Sequence, residues 1–249
     1  MEQAINMLNT GRIDRLKIPK VVHFIFEPVY VTELPESWKI NRDKFINLHP
    51  EYIVYDWDFE KIEHFIATNY SEYDDKYRSI NLLPIQRLDI ARYFILYHFG
   101  GMYIDYDIQW YTKMPLKLHT YNCVLLKEKN FVSLHQVTNA LIMCEPKSNL
   151  MKEMINNIQY DIIITSGDFK GVLNTTGPGK LSKVLYKYLN KYCCSKLDTW
   201  VDSIPLTLKQ DDQQILILPT CYAQSTKSFI HQYDCSWSSK NKSDTYGYL

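Results

Sequence analysis

The stretch RLDIARYFILYHFGGMYIDYDIQW, residues 87 to 110, reads as a helix, a glycine stop and a strand. At ~100° per residue, Ile85, Leu88, Ile95, Leu96 and Phe99 share one stripe, the face that a globular helix buries. Arg92 falls in the middle of that stripe, and Asp89 lies one turn earlier at its edge. Leaving one ion buried and unpaired is costly, so the two either neutralise each other as an ion pair that fixes the helix or converge on something polar. Gly100 and Gly101 end the helix, as glycine does where the backbone must turn left-handed. In MYIDYDIQW, Met102, Ile104, Tyr106, Ile108 and Trp110 alternate with Tyr103, Asp105, Asp107 and Gln109. This alternation predicts an extended strand with both carboxylates on one face, their α-carbons ~7 Å apart. Such a span suits one hard divalent cation whose shell is completed by water and phosphate oxygens, magnesium or manganese rather than zinc. On its own, a D-x-D spacing is more often the solvated outer face of a half-buried strand.

The chain has 249 residues, near the upper size for one hydrophobic core. Lysine plus arginine and aspartate plus glutamate are balanced at 28 each, so no global field draws it to nucleic acid or an anionic membrane, and any anion is held locally. The six cysteines, Cys123, Cys144, Cys193, Cys194, Cys221 and Cys235, show no C-x-x-C spacing. They read as reduced, mostly buried thiols rather than a zinc cluster. The N-terminus is too polar for a secretion signal, and no run approaches the ~18 apolar residues of a membrane span, which predicts a soluble protein.

Strand-like and helix-like stretches alternate from Ile18 onward, as in α/β domains. KVVHFIF (20–26) and EYIVYDW (51–57) predict strands, with helices at 37–47 and 58–68. Farther on, CVLLK (123–127) and QILILP (214–219) suit buried strands, and 147–160 and 179–192 suit helices. A β-α-β-α opening favours a nucleotide site over the carboxyl ends of parallel strands. Neither G-x-G-x-x-G nor G-x-x-x-x-G-K-[ST] follows the first strand, which weighs against a dinucleotide dehydrogenase and a P-loop enzyme.

The whole run D-I-A-R-x-x-x-L-x-x-x-G-G-M-Y-I-D-Y-D-I closely resembles the sugar-binding region of D-x-D glycosyltransferases of the family 32 type. That type includes Golgi-type mannosyltransferases and bacterial polysaccharide enzymes, and more remotely the large glucosylating toxins. IPKVVHFIF, HPEYIVYDWD, NTTGPG and HQYDCSW resemble further segments of the family, in order along most of the chain. The resemblance implies an α/β protein of GT-A fold, a Rossmann-like mixed sheet flanked by helices. It implies one domain over 1–249, with 1–17 as an N-terminal extension and 220–249 as a C-terminal closing segment. The implied function is metal-dependent, retaining transfer of a hexose from a nucleotide diphosphate sugar, a UDP- or GDP-hexose, to a glycan or other hydroxyl acceptor, with Mn2+ or Mg2+ as cofactor. No nucleic acid partner is expected. The lack of an anchor points to cytoplasmic glycan or polysaccharide assembly in a bacterium or virus-infected host, compatible with peripheral membrane association.

Site residues follow from the same resemblance. Asp105, Asp107 and Arg92 are the implied catalytic set. Asp107 is the principal metal ligand, with Asp105 and His231 beside it. Asp89, Arg92 and Asp105 contact the donor, Ile25 and Phe26 line its pocket, and Ser236 and Trp237 close over the diphosphate. Phe26 stands where relatives often have tryptophan, and Glu27-Pro28 where a glycine is common, which alters the entrance to that pocket. Gly177 belongs to a Thr176-Gly177-Pro178 turn placed near the reacting sugar, although a proline there is also an ordinary helix start. Two other readings remain open from sequence. One is a nucleotide-sugar or carbohydrate-binding protein without turnover. The other is a metal-dependent phosphohydrolase, which normally needs a denser set of carboxylates and histidines.

Overall fold

The strands, in chain order, are β1 (Val21–Ile25), β2 (Ile53–Trp57), β3 (Gly101–Ile104), β4 (Ile108–Trp110), β5 (Cys123–Lys127), β6 (Val137–Cys144), β7 (Leu206–Gln210), β8 (Gln213–Leu218) and β9 (Phe229–His231). The helices are α1 (Glu36–Leu48), α2 (Phe59–Asn69), α3 (Ser71–Tyr77), α4 (Pro84–Phe99), α5 (Asn149–Asn156), α6 (Phe169–Thr175) and α7 (Pro178–Asn190). This computed structural model describes residues 15–29, 32–127, 137–165, 167–190, 205–210, 212–224 and 228–232. Seven strands form one sheet in the order β2-β1-β3-β6-β5-β8-β7, and β4 pairs separately with β9. β6 and β7 run against the other five strands, so the sheet is mixed.

Strands covered on both faces read as continuous apolar runs, which is why VVHFI, CVLLK and QQILIL were visible in the sequence. Side chains alternate between two cores. Ile25, Tyr103, Leu125 and Ile142 pack against α2, α4, α5 and α7, whereas Val22, Phe24, Met102, Ile104, Val124 and Leu141 face α1, β4 and β9. This helix-flanked mixed sheet is the α/β architecture that the GT-A expectation requires. The expected helices at 37–47, 58–68 and 179–192 correspond to α1, α2 and α7, while the helix expected over 147–160 contracts to α5. Asp58 starts α2 by accepting the Lys61 amide at 2.8 Å, the usual service of an N-cap carboxylate. Among the described residues, no helix is long and apolar enough to cross a membrane.

Two expectations need correction. The narrow stripe on α4 becomes a helix buried almost all round from Asp89 to Leu96, while Ile85, Leu88 and Phe99 remain partly exposed. A helix enclosed by the sheet and by α5 and α6 cannot be recognised from one apolar face, because it has more than one. The extended strand 102–110 breaks after Ile104: Asp105 to Asp107 form a turn, and β4 joins a different sheet. Gly100 and Gly101 are required at the helix-to-strand junction, with φ of 64° and 88°. A Cβ on Gly101 would stand 2.5 Å from the Val21 carbonyl oxygen, so β3 could not sit beside β1 with any other residue there.

His23 supplies a pH-dependent term. It is fully buried on β1, its Nε2 lies 3.0 Å from the Gly100 carbonyl oxygen, and its Nδ1 accepts from Trp57 Nε1 at 3.2 Å. This pattern fixes a neutral ring with the proton on Nε2. Burial lowers its pKa to about 4, with the Gly100 bond opposing. A depressed histidine stabilises the fold fully above its unfolded value, near 6.5, and that contribution is lost as pH falls towards 4. At 1.36 kcal/mol per pKa unit, the loss is roughly 3 kcal/mol. Urea unfolding of wild type and His23→Gln is therefore expected to show a stability gap that narrows by about that amount between pH 7 and pH 4; a constant gap contradicts this role.

Candidate active site

The site forms where β3 ends, because each backbone carbonyl of the D-Y-D turn finds a different partner. The Asp105 amide continues the ladder by donating to Ala140 O at 2.8 Å. The next three carbonyls leave the sheet. Asp105 O accepts from the Ile108 amide at 3.2 Å, Tyr106 O from Asn41 Nδ2 at 2.9 Å, and Asp107 O from the Gln232 amide at 3.0 Å. The turn is thus fixed with no unsatisfied carbonyl, which removes the cost of bending a buried chain. Tyr106 packs among Phe24, Phe26 and Trp38, stacking on Trp38 with ring centroids 6.0 Å apart. The side chains of its two neighbours, the aspartates, come together instead beside His231.

β9 pairs antiparallel to β4 with His231 opposite Ile108, one residue beyond Asp107. One ligand-capable atom each from Asp105, Asp107 and His231 lies within 4.8 Å of the others, and His231 Nε2 is 3.4 Å from Asp107 Oδ1. Asp107 and His231 are buried, while the Asp105 side chain keeps 31% of its surface in contact with solvent. Two carboxylates and an imidazole at this spacing fit a divalent cation. The three residues expected as ligands are brought together, although by a turn and a second sheet rather than by alternation along one strand.

Arg92 stands behind the carboxylates. Nη1 donates to Asn139 O at 2.9 Å and to Asp105 Oδ1 at 3.3 Å, Nη2 lies 3.0 Å from Asp89 Oδ1, and the guanidinium sits 4.4 Å from the centre of the Tyr103 ring. Burial alone would lower its pKa, but the surrounding tyrosine and aspartate groups outweigh it, and the group is held charged. Tyr103 donates to Asp105 Oδ1 at 2.5 Å. Burial raises the Asp105 carboxyl, with Arg92 opposing and Asp107 adding to the rise; a bound cation would oppose that rise.

Asp89 is fully engaged. Oδ1 accepts from Asn139 Nδ2 at 2.8 Å and is ion-paired with Arg92 Nη2 at 3.0 Å, and Oδ2 accepts from Thr176 Oγ1 at 3.0 Å. Burial raises its pKa, with the Arg92 charge and the bonds from Thr176 and Asn139 opposing. In this geometry Asp89 braces Arg92. The T-G-P turn meets the site through that brace: Thr176 O also accepts from Tyr93 OH at 2.7 Å, and buried Gly177 lies so close to α6 that a Cβ would come within 3.1 Å of Leu173 Cα. Pro178 opens α7, so the helix-start reading of the turn holds as well. Ile25 is a core residue at the end of β1, and Phe26, just beyond it, is half-buried. Ser236 and Trp237 lie outside the described residues.

Sequence reasoning missed three residues of this cluster. Tyr103 was legible, lying two residues before Asp105 in the same alternating set. Thr176 was noted only as part of a turn. Asn139 lay in a strand, β6, that was not anticipated.

Residues 35–131 match the family described as glycosyltransferase sugar-binding region containing DXD motif. The inositol phosphoceramide mannosyltransferase 2 of Schizosaccharomyces pombe is 32% identical over 174 residues, 69% of this chain and 47% of that protein. The mannosyl phosphorylinositol ceramide synthase CSH1 of Saccharomyces cerevisiae is 42% identical over 90 residues, 36% of this chain and 23% of that protein. The chain thus spans less than half the length of each of these two relatives. Among solved structures, one described as PaToxG Glycosyltransferase aligns over 76% of both chains at 15% identity with a TM-score of 0.48, too slight a likeness to transfer any chemistry. Residues 35–131, which hold Asp89, Arg92, Asp105 and Asp107, are thus the part of this chain that is similar to glycosyltransferase sugar-binding regions containing the DXD motif.

Proposed function

We propose that the chain is a metal-dependent glycosyltransferase that moves a hexose from a UDP- or GDP-linked donor to a hydroxyl acceptor on a glycan or lipid. The observation that carries this reading is the convergence of Asp105, Asp107 and His231 beside the Arg92 guanidinium. Both relatives are named for mannosyl transfer to an inositol phosphoceramide, so a mannosyl donor is the first to try. The two cores share one sheet, which supports treating the described residues as one catalytic domain.

Asp105, Asp107 and His231 would hold the cation, whose chemistry is that of a Lewis acid where negative charge builds on the departing diphosphate. Arg92 adds a fixed positive charge at the same place. Its fork is set before any ligand arrives, so no reorganisation is needed as that charge develops. Asp105 is oriented by Tyr103 and Arg92, which leaves its solvent-facing side to meet the cation and a sugar hydroxyl. The sugar carbon becomes cation-like as the bond breaks, and nearby carboxylate oxygens offset that charge. Retention of anomeric configuration, with attack from the face the diphosphate leaves, is carried over from the family resemblance.

The test is a panel of UDP- and GDP-hexoses, mannose included, with and without Mn2+. A true donor is expected to raise the melting temperature only with metal present, by an amount corresponding to ~2.7 kcal/mol at a hundredfold excess over Kd, and to release free sugar and nucleoside diphosphate slowly. If no nucleotide sugar stabilises the metal-loaded protein or is hydrolysed, the proposal fails.

A further inference from the structure

Asn41 is a polar residue on the buried side of α1, 3% exposed, where it and Phe45 are the helix's buried positions. A primary amide taken out of water costs free energy unless its groups are paired. Here a single nitrogen serves two acceptors from distant parts of the chain: Nδ2 donates to Tyr106 O at 2.9 Å and to Gln232 Oε1 at 3.3 Å. Because Tyr106 O can only accept, the amide is oriented with its nitrogen towards the turn. Tyr106 lies between the two aspartates, and Gln232 follows His231.

β9 is only three residues long and meets the rest of the molecule mainly through β4. So short a strand has little ladder of its own to fix its position. We infer that Asn41 is a positioning residue that locks the D-Y-D turn to the strand carrying His231, so that α1 sets the spacing of Asp105, Asp107 and His231. Neither aspartate side chain is touched by it; it acts through the backbone at Tyr106 and through Gln232. Groups that orient metal ligands from behind commonly matter 10- to 100-fold in metal affinity.

The decisive measurement is amide hydrogen exchange on the metal-free protein. Asn41→Ala is expected to speed exchange at Ile108 and across residues 228–232 while leaving β1, β3 and β6 at wild-type rates. Gln232→Ala, at an exposed position that tolerates truncation, is expected to speed exchange only across 228–232. Mn2+ titration should then show affinity reduced about 10-fold or more in Asn41→Ala. Unchanged exchange across 228–232 in Gln232→Ala and in folded Asn41→Ala overturns the inference. Should Asn41→Ala not fold, Gln232→Ala alone decides. The affinity arm rests on the proposed function and the exchange arm does not: faster exchange in a protein whose wild type binds no Mn2+ would uphold the lock and sink the metal reading.

Discussion

Asp107→Asn is expected to lower metal-dependent donor turnover on the order of a thousandfold while the protein stays folded. The size follows from the chemistry: with the carboxylate gone, the proposed ligand set loses one of its two negative charges, and charge stabilisation of the departing group is worth ~10²–10³ even for a single hydrogen-bond donor in other enzymes. The survival of the fold follows from the geometry. It is the backbone carbonyl of Asp107 that ties the turn to β9, through the Gln232 amide, and an asparagine keeps that carbonyl and nearly the same volume. Asp107 also raises the Asp105 carboxyl by repulsion, so without metal the substitution relieves a like-charge contact. The metal-free variant should therefore melt no lower than wild type. Calorimetric Mn2+ titration, nucleoside diphosphate release and thermal melts on the same preparations test all three statements. A folded Asp107→Asn protein with wild-type Mn2+ affinity and turnover would remove Asp107 from the site.

The sequence reveals such a site only unevenly, for identifiable reasons. β1, β5 and β8 were legible because strands buried on both faces must be apolar throughout, and VVHFI, CVLLK and QQILIL are nearly so. β6 escaped for the converse reason. In VTNALIMC, Thr138 and Asn139 interrupt the apolar run, and Asn139 does so where the strand passes Asp89 and Arg92, so one of the polar residues that hide it is among those the site uses. The acidic pair was found by a partly mistaken route. Alternation correctly placed Met102, Ile104, Tyr106, Ile108 and Trp110 on one side, and all five pack in the same core. It could not show that the chain changes sheets at Asp105, because that depends on Asn41 and Gln232, 64 residues before and 127 after it in sequence. Arg92 carried the clearest signal, since a charge in the middle of an apolar helix demands a partner wherever the flanking residues pack.

Arg92→Lys retains the charge and still should fail, and it separates the roles of charge and shape. Arginine here spans four acceptors: Asn139 O and Asp105 from one nitrogen, Asp89 from the other, and the face of Tyr103 from the whole plane. An ammonium offers one compact centre, cannot lie flat on the ring, and cannot reach Asp89 and Asp105 together in the forked geometry. Whichever carboxylate it abandons is left with fewer donors in a buried place. Removing a partner from a buried pair altogether costs ~3–5 kcal/mol, and keeping the charge should hold the loss to roughly 1–3 kcal/mol. Turnover is expected to fall about a hundredfold, chiefly in kcat, because Asp105 loses its orientation and the fixed positive charge no longer stands where the diphosphate departs. Mn2+ affinity should change far less than in Asp107→Asn, since Arg92 is no ligand itself and acts on the proposed ligand set through its bond to Asp105. That contrast distinguishes the two substitutions: one is expected to abolish metal binding and the other to retain it beside a misaligned carboxylate. An Arg92→Lys protein with wild-type kcat would show that any cation serves at this position and that the planar fork is a folding device alone. Lost Mn2+ binding without lost stability would instead make Arg92 a support for the ligands themselves.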